Sequence, residues 1–361
     1  VDYAPEIKKF FKGEVYSDEK TLAAASVDAS IFEVKPALVV APRDVYDIKN
    51  LVAFARKKRQ AGEKISLTAR SAGTDMTGGP LTESIVVDFL PHFNHIKEVG
   101  AGYAVTEPGV YYRDFEKETL KHGLLMPSYP ASRDLCTIGG MVSNNAGGEK
   151  TLTYGKTENY VRQVKMVLSD GGEYIFRPLT IPELEKERAR RDFFGEVCQK
   201  MFELVTKNYD LLKKAKPAVS KNSAGYFLWN VYNKEKELFD LTKLITGSQG
   251  TLGIITEVKF RLIEPKPFSS LLIVFLPTLK PLAEVTNHVL KFKPESFESF
   301  DDHTLKVALK LFPSIVKKLN GNLVKLAFQF LPEFWMALTG GVPKLILIAE
   351  FTADTQEAAA A

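Results

Sequence analysis

Two stretches of this chain consist almost wholly of small residues, which is what a backbone needs if it is to close around an anion. The first runs Ala69, Arg70, Ser71, Ala72, Gly73, Thr74, Asp75, Met76, Thr77, Gly78, Gly79 and follows a segment that reads as a strand. The second runs Thr137, Ile138, Gly139, Gly140, Met141, Val142, Ser143, Asn144, Asn145, Ala146, Gly147, Gly148, with four glycines. Where side chains do not intervene, successive backbone N–H groups form a concavity that takes a phosphate. Either stretch alone reads as well as a tight surface turn. Two in one chain point to one large ligand carrying two phosphates.

The commoner phosphate sequences are missing. No G-x-x-x-x-G-K followed by Ser or Thr occurs, and no G-x-G-x-x-G opens a strand-helix-strand unit. A third glycine-bearing stretch, Gly247-Ser248-Gln249-Gly250-Thr251-Leu252-Gly253, leads into Ile254, Ile255 and Val258; by itself it reads as a turn into a strand. The five histidines (His92, His95, His122, His288, His303) form no catalytic pattern and read as surface or packing residues. Cys136 and Cys198 are far apart and match no metal-ligand spacing, which agrees with a reducing compartment.

Several elements must position these loops. Ala37–Ala41 reads as a strand, followed by a helix with Val45, Ile48, Leu51, Val52 and Ala55 on one face and Asp44 as its cap. Lys64–Thr68 reads as a short buried strand and Ser84–Asp88 as another, completing an α/β unit. A strand and a helix are expected over Ala104–Lys121. Between Asn159 and Phe176 a hairpin is expected, turning at Ser169-Asp170-Gly171-Gly172, because Asp-Gly and Gly-Gly suit the turns that match strand twist. Ile181–Lys214 is charged and helical, and Lys259–Pro267 alternates like a strand before two prolines, where a domain boundary is expected near Pro267. Beyond it, a strand over Leu271–Leu276, a helix over Leu282–Phe292 and a strand over Leu345–Phe351 begin a second α+β region with no completed sheet.

Composition narrows the function class. A chain of 361 residues, 45% hydrophobic and 25% charged, is expected to fold as two domains, or as one large domain plus part of another. The net charge of +4 is scattered apart from Arg56-Lys57-Lys58-Arg59, which reads as a solvated helix end, so nucleic-acid binding is not indicated. No window reaches the ~18 apolar residues of a membrane span. The apolar region Leu305–Val342, with Phe312, Phe328, Phe330, Phe334 and Trp335, reads as inward-packing helices, with docking to a membrane surface or an electron-accepting partner as the alternative. The chain opens on Val1 without an export signal and stops just after its last strand, so a piece of a longer protein is expected.

In that order, the loop 69–79, the segment 127–148, the turn Tyr154-Gly155-Lys156-Thr157 and the stretch 247–260 resemble the FAD-binding domain of the vanillyl-alcohol-oxidase or PCMH superfamily. The similarity is greatest to the branch that holds D-lactate dehydrogenase, D-2-hydroxyglutarate dehydrogenase and the glycolate oxidase chain GlcD. The resemblance implies an α+β fold: a two-subdomain PCMH-type FAD-binding domain over 32–267, preceded by a helical extension over 1–31 and followed by a partial α+β (ferredoxin-like) cap domain over 268–361. It implies that the first loop wraps the FAD pyrophosphate through backbone N–H groups of Arg70, Ser71, Ala72, Gly73, Thr74 and Asp75, with Gly79 close by. Many members have three glycines where this chain has Ser71, Ala72 and Gly73, so a positive φ is not expected at Ser71 and Ala72.

By the same resemblance Thr137, Gly139, Gly140, Ser143, Asn144, Asn145 and Gly147 flank the pyrophosphate and flavin, Pro130 lies near the flavin, and the backbone at Ile254 or Ile255 touches the cofactor. The first loop has no His and Cys136 stands where a small residue would serve, so FAD is expected to be non-covalent. The implied activity is oxidation of a D-2-hydroxy acid of the lactate or glycolate class, with hydride passing to flavin N5 and a quinone or redox protein as electron acceptor. The implied location is cytoplasmic, or peripheral to the inner face of the cytoplasmic membrane. No catalytic base and no metal ligand is assigned; family members carry theirs in the C-terminal half. Lys221, in Lys221-Asn222-Ser223-Ala224-Gly225-Tyr226, resembles a segment near the active-site mouth, although a solvated lysine is the plainer reading. Two alternatives stay open: a flavin-binding electron-transfer part of a larger complex, and nucleotide binding without redox chemistry.

Overall fold

The computed structural model describes residues 2–219, 221–318 and 342–360. It divides into two compact units, Val1–Gly148 with Gly155–Pro265, and Glu149–Tyr154 with Lys266–Ala361.

The first unit opens with α1 (Ala4–Ile7), β1 (Glu14–Tyr16) and α2 (Glu19–Ala25). The N-terminal stretch is therefore not helical throughout: β1 pairs antiparallel with β2 (Leu38–Ala41) and contributes an edge to the first sheet, of order β1-β2-β4-β3, with β3 at Leu67–Arg70 and β4 at Ile85–Asp88. β2, β4 and β3 run parallel. Parallel strands are buried on both faces, and alternate residues of β2 do face two cores. Leu38 and Val40 meet Ile48 and Leu51 of α3 (Val45–Gln60), while Val39 joins Leu22, Ala25 and Val86. Asp44 caps α3 by accepting from the amides of Tyr46 and Asp47. The buried Asp47 carboxylate accepts the amides of Lys12, Gly13 and Arg43, which fastens the N-terminal segment to this sheet.

The strand expected at Lys64–Thr68 lies three residues later, and all four of its residues are only half-buried. β3 is an edge strand with one neighbour, so a short apolar run there does not imply full burial.

A second sheet, β5-β6-β12-β7-β8, is antiparallel throughout. It is built from β5 (Ile96–Gly100), β6 (Tyr103–Thr106), β7 (Val161–Val167), β8 (Glu173–Phe176) and β12 (Ile254–Arg261). Phe115 of α4 (Tyr112–Leu120) packs edge-on against Phe260 of β12, ring centroids 6.0 Å apart. The β7–β8 turn carries Gly171 at φ 85°, the left-handed conformation that favours glycine. Two short helices, α5 (Ile138–Asn144) and α6 (Thr151–Tyr154), lie between β6 and β7 in sequence. A small third sheet joins β9 (Leu179–Thr180), β10 (Tyr232–Asn233) and β11 (Leu238–Phe239) around α7 (Ile181–Arg188), α8 (Phe193–Lys207), α9 (Tyr209–Ala215) and α10 (Thr242–Ile245).

The second unit does contain a completed sheet, against expectation. β13 (Phe268–Leu276) and β14 (Ser296–Asp301) flank β15 (Leu345–Ala353), all antiparallel, with α11 (Leu282–Leu290), α12 (Asp302–Lys318) and α13 (Gln356–Ala360). β14 escapes sequence reading because Ser-Phe-Glu-Ser-Phe-Asp is two-thirds polar and follows Pro294. The helix α6 belongs to this unit: buried Glu295 accepts from Lys150, from Tyr154 Oη (3.0 Å) and from Thr352. Of the apolar region expected to pack inward, Phe328, Phe330, Phe334 and Trp335 lie outside the described residues, as does the side chain of Phe312.

Candidate cofactor site

The first small-residue loop leaves β3 at Arg70, which stands opposite Asp88 in the parallel β3–β4 pair. The Arg70 guanidinium donates to the carbonyls of Ala25 (3.1 Å) and Val27 (2.7 Å). A Cβ added to Gly73 would sit 2.4 Å from its Nη2, so a side chain there would have to displace the guanidinium. Burial lowers the Arg70 pKa and raises that of Asp88, while each partly offsets the other's shift by charge. Ser71 and Ala72 avoid positive φ, as expected, while Gly73 takes φ 65°. Asp75 turns its carboxylate back onto Gly79 N (2.8 Å) and Thr77 Oγ1. With the Arg70 and Asp75 side chains engaged inside the protein, the backbone carries the loop's remaining capacity. Among the described residues, no protein acceptor takes the amides of Ser71, Ala72, Gly73, Thr74 and Asp75. Five consecutive unused N–H groups around a left-handed glycine form the concavity that binds oxyanions.

The second stretch is brought to the first. Ser71 Oγ and Thr137 Oγ1 are hydrogen-bonded, which joins the loop to the residue preceding α5. Gly139 and Gly140 are glycines for different reasons. A Cβ on Gly139 would lie 2.7 Å from Pro108 Cβ, so packing excludes it. On Gly140 it would meet only Thr137 Oγ1 at 3.7 Å and Ser71 Oγ at 3.9 Å. Gly140 lies in a helix, where glycine is less favourable than alanine, and neither its φ nor any neighbour requires it. Its missing side chain leaves open space facing two hydroxyls, which fits a group approaching from outside the protein.

The third stretch closes on both. Gly247 N donates to Val142 O (2.9 Å) and Gln249 N to Ser143 O (2.8 Å). Gln249 Oε1 is 3.8 Å from where a Cβ on Gly79 would stand. Thr157 donates to Ala146 O through both its amide (3.0 Å) and its hydroxyl (2.7 Å). Gly148 packs against the backbone of Tyr129 and Pro130, so Pro130 also borders the end of the second stretch at Gly147 and Gly148. Ile254 and Ile255 pair with Val167 and Met166 on one side, while pairing with β6 begins only at Val258.

Asn144 and Asn145 separate in the structure. Asn144 is exposed; Asn145 is buried at φ 51°, its Oδ1 accepts Glu158 N (3.0 Å), and its Nδ2 is sealed from solvent without a partner. Asn145 also turns the chain here, because asparagine tolerates the left-handed region.

The other titratable candidates do not join this cluster. His92 bonds Glu14 and His95 bonds Glu107, while His122 lies 3.9 Å from Glu118. Among the described residues no three His, Cys, Asp or Glu side chains converge on a metal position. Burial pushes the Cys136 thiol up to about 11 and that of Cys198 to about 12, so both stay protonated and unreactive at neutral pH. Lys221 is exposed.

Sequence reasoning placed Lys156 in a turn and missed its side chain. It is buried, and its Nζ donates to Asn222 O (2.6 Å) and Ser223 Oγ (3.1 Å), with the Phe227 ring 5.6 Å away. No spacing rule links residue 156 to residue 222, so only the folded chain reveals it.

Comparison with known proteins points to FAD as the cofactor. Residues 36–175 match the family described as FAD binding domain. The chain is 27% identical over 302 residues to D-2-hydroxyglutarate dehydrogenase of Pseudomonas putida, covering 83% of this chain and 30% of that protein. It is 30% identical over 246 residues to D-2-hydroxyglutarate dehydrogenase of Escherichia coli, covering 68% and 24%. With the glycolate oxidase subunit GlcD of Bacillus subtilis it shares 26% over 281 residues, covering 76% and 48%. The chain thus spans less than a third of these dehydrogenases and about half of the oxidase subunit. Among solved structures, alkyldihydroxyacetonephosphate synthase superposes with a TM-score of 0.65 at 16% identity, covering 97% of this chain and 55% of that one, which establishes the shared fold.

Proposed function

We propose, from the premise that this chain carries an FAD-binding domain and is related to D-2-hydroxyglutarate dehydrogenase and to GlcD of glycolate oxidase, that it is the cofactor-binding part of an FAD-dependent oxidoreductase for D-2-hydroxy acids of the lactate or glycolate class. The FAD-binding domain is assigned to 32–267 and the start of a cap domain to 268–361. When bound, FAD supplies the hydride acceptor. The chain's own residues hold and exclude. The amides of Ser71 to Asp75 and of Gly140 donate to phosphate oxygens, and the Ser71 and Thr137 hydroxyls border the same space. Binding is non-covalent, because the Cys136 thiol is buried and protonated. The acceptor for the electrons is a quinone or a redox protein, and the location cytoplasmic or peripheral to a membrane; no helix among the described residues is long and apolar enough to cross one.

The observation that carries this reading is the open space over Gly140, facing the hydroxyls of Thr137 and of Ser71, the first residue of the row of unused amides, inside a segment that matches an FAD binding domain. The test is the visible spectrum of the purified chain supplied with FAD, before and after acid precipitation, followed by anaerobic D-lactate, glycolate or D-2-hydroxyglutarate. Flavin that is released into the supernatant by acid, and bleached in the native protein by one of the acids, is expected. Bound flavin that none of them reduces favours an electron-transfer part of a larger complex, in keeping with the fraction of its relatives that the chain spans. A chain that takes up no FAD overturns the reading.

A further inference from the structure

We propose that Asn222–Phe227 is a latch beside the FAD site, shut at one end by Lys156 and at the other by Tyr226, which opens to admit and release the dinucleotide; the proposal rests on the FAD reading above. The latch joins two segments of the first unit that border α5. At one end, Lys156 precedes Thr157, which is bonded to Ala146 at the close of the second small-residue stretch. At the other, Tyr226 Oη is 2.6 Å from Thr251 Oγ1, two residues beyond Gln249, whose amide is held by Ser143.

The loop between these ends is preformed. Asn222 Oδ1 accepts the amide of Ala224 (3.1 Å), and Gly225 takes φ 71° with nothing within 4 Å of an added Cβ, leaving room for the backbone to swing. Phe227 is buried and stacked on Trp229 at 5.1 Å, which fixes the far side as a pivot.

The lysine makes the closure reversible. A buried ammonium is costly unless it is paired, and Lys156 is held by a carbonyl, a hydroxyl and a ring face, with no carboxylate within ion-pair distance among the described residues. Burial lowers its pKa, the Lys221 charge adds to the shift, and Glu158 opposes it. Opening returns the ammonium to water, which offsets the lost hydrogen bonds. An anionic dinucleotide at the Ser71–Asp75 amides adds negative charge to the same unit and shifts the balance toward the shut state.

Trypsin reads the latch directly, because Lys221 is exposed at its base. Cleavage after Lys221 is followed by the appearance of the peptide that begins at Asn222, with and without saturating FAD, alongside the rate of FAD release measured by the recovery of its fluorescence. FAD is expected to slow that cleavage several-fold in the natural chain. Lys156→Met is expected to abolish the protection and speed release about tenfold, the loss of a charge-assisted hydrogen bond. Tyr226→Phe, at an exposed position that does not threaten folding, is expected to do the same to a lesser degree and carries the test if Lys156→Met fails to fold. Equal cleavage with and without FAD in a chain that has visibly bound flavin overturns the latch, as does unchanged FAD release in Tyr226→Phe. Absence of flavin uptake instead overturns the functional reading and the latch with it.

Discussion

Gly139 and Gly140 show how little a residue's type says without its surroundings. Both are helical glycines in one motif, yet one is crowded by Pro108 and the other faces open space. They therefore predict opposite outcomes. Gly140→Ala is expected to leave the FAD-free chain as stable as before, or up to about 1 kcal/mol more stable through helix propensity, while weakening FAD binding at least about tenfold because the methyl enters the ligand's space. Thermal melts without FAD and a fluorescence titration with it check the two halves separately. A loss of stability in the FAD-free protein would mean that the position is a packing site. The Arg70 side chain makes the same point. Its place at the start of the loop was legible, but its inward bonds to Ala25 and Val27 were not, because residues 25 and 70 meet only through the sheet.

At the scale of the element, Glu257 on β12 ties three strands together. Its carboxylate pairs with Lys165 of β7 (2.9 Å) and Lys97 of β5 (3.0 Å), and Lys97 also reaches Glu107. Burial pushes the Glu257 pKa up, but hydrogen bonds from Lys165 and Lys97 and their charges outweigh it, so the folded value lies below the ordinary one. A depressed carboxylate contributes stability above its unfolded value of about 4.3, and that stability is lost as pH falls through the folded value. Glu257→Gln is expected to cost roughly 1–2 kcal/mol at neutral pH, reduced from a fully buried pair because both lysines are partly exposed. The variant should also flatten the acid limb; urea melts from pH 7 to pH 3 check this, and an unchanged acid limb would show that the network adds nothing. Elements with a strong local pattern were legible: α3 from its one-sided spacing and its Asp44 cap, the β7–β8 hairpin from Asp-Gly-Gly. β3 and β14 were misjudged because both are edge strands, whose composition is set by exposure as much as by pairing.

For the whole molecule, two compact units imply two unfolding transitions, only one of which should answer to cofactor. FAD at about a hundred times its dissociation constant is expected to stabilise the unit that holds Ser71, Thr137 and Gly140 by about 2.7 kcal/mol. Scanning calorimetry with and without FAD should raise one transition and leave the other in place; a uniform shift of both would mean that they unfold as one.

The amino-acid sequence alone determined the class of ligand, because small-residue stretches are local and their order along the chain is distinctive. It also determined the elements whose periodicity is uninterrupted. Only the tertiary structure decided that Ser71 touches Thr137, that Gly140 rather than Gly139 opens outward, that the Asn145 side chain is sealed inside, and that Lys156 grips a loop 66 residues away. Each of these depends on which distant segments share a wall. That is set by sheet register and core packing, and no local spacing encodes it.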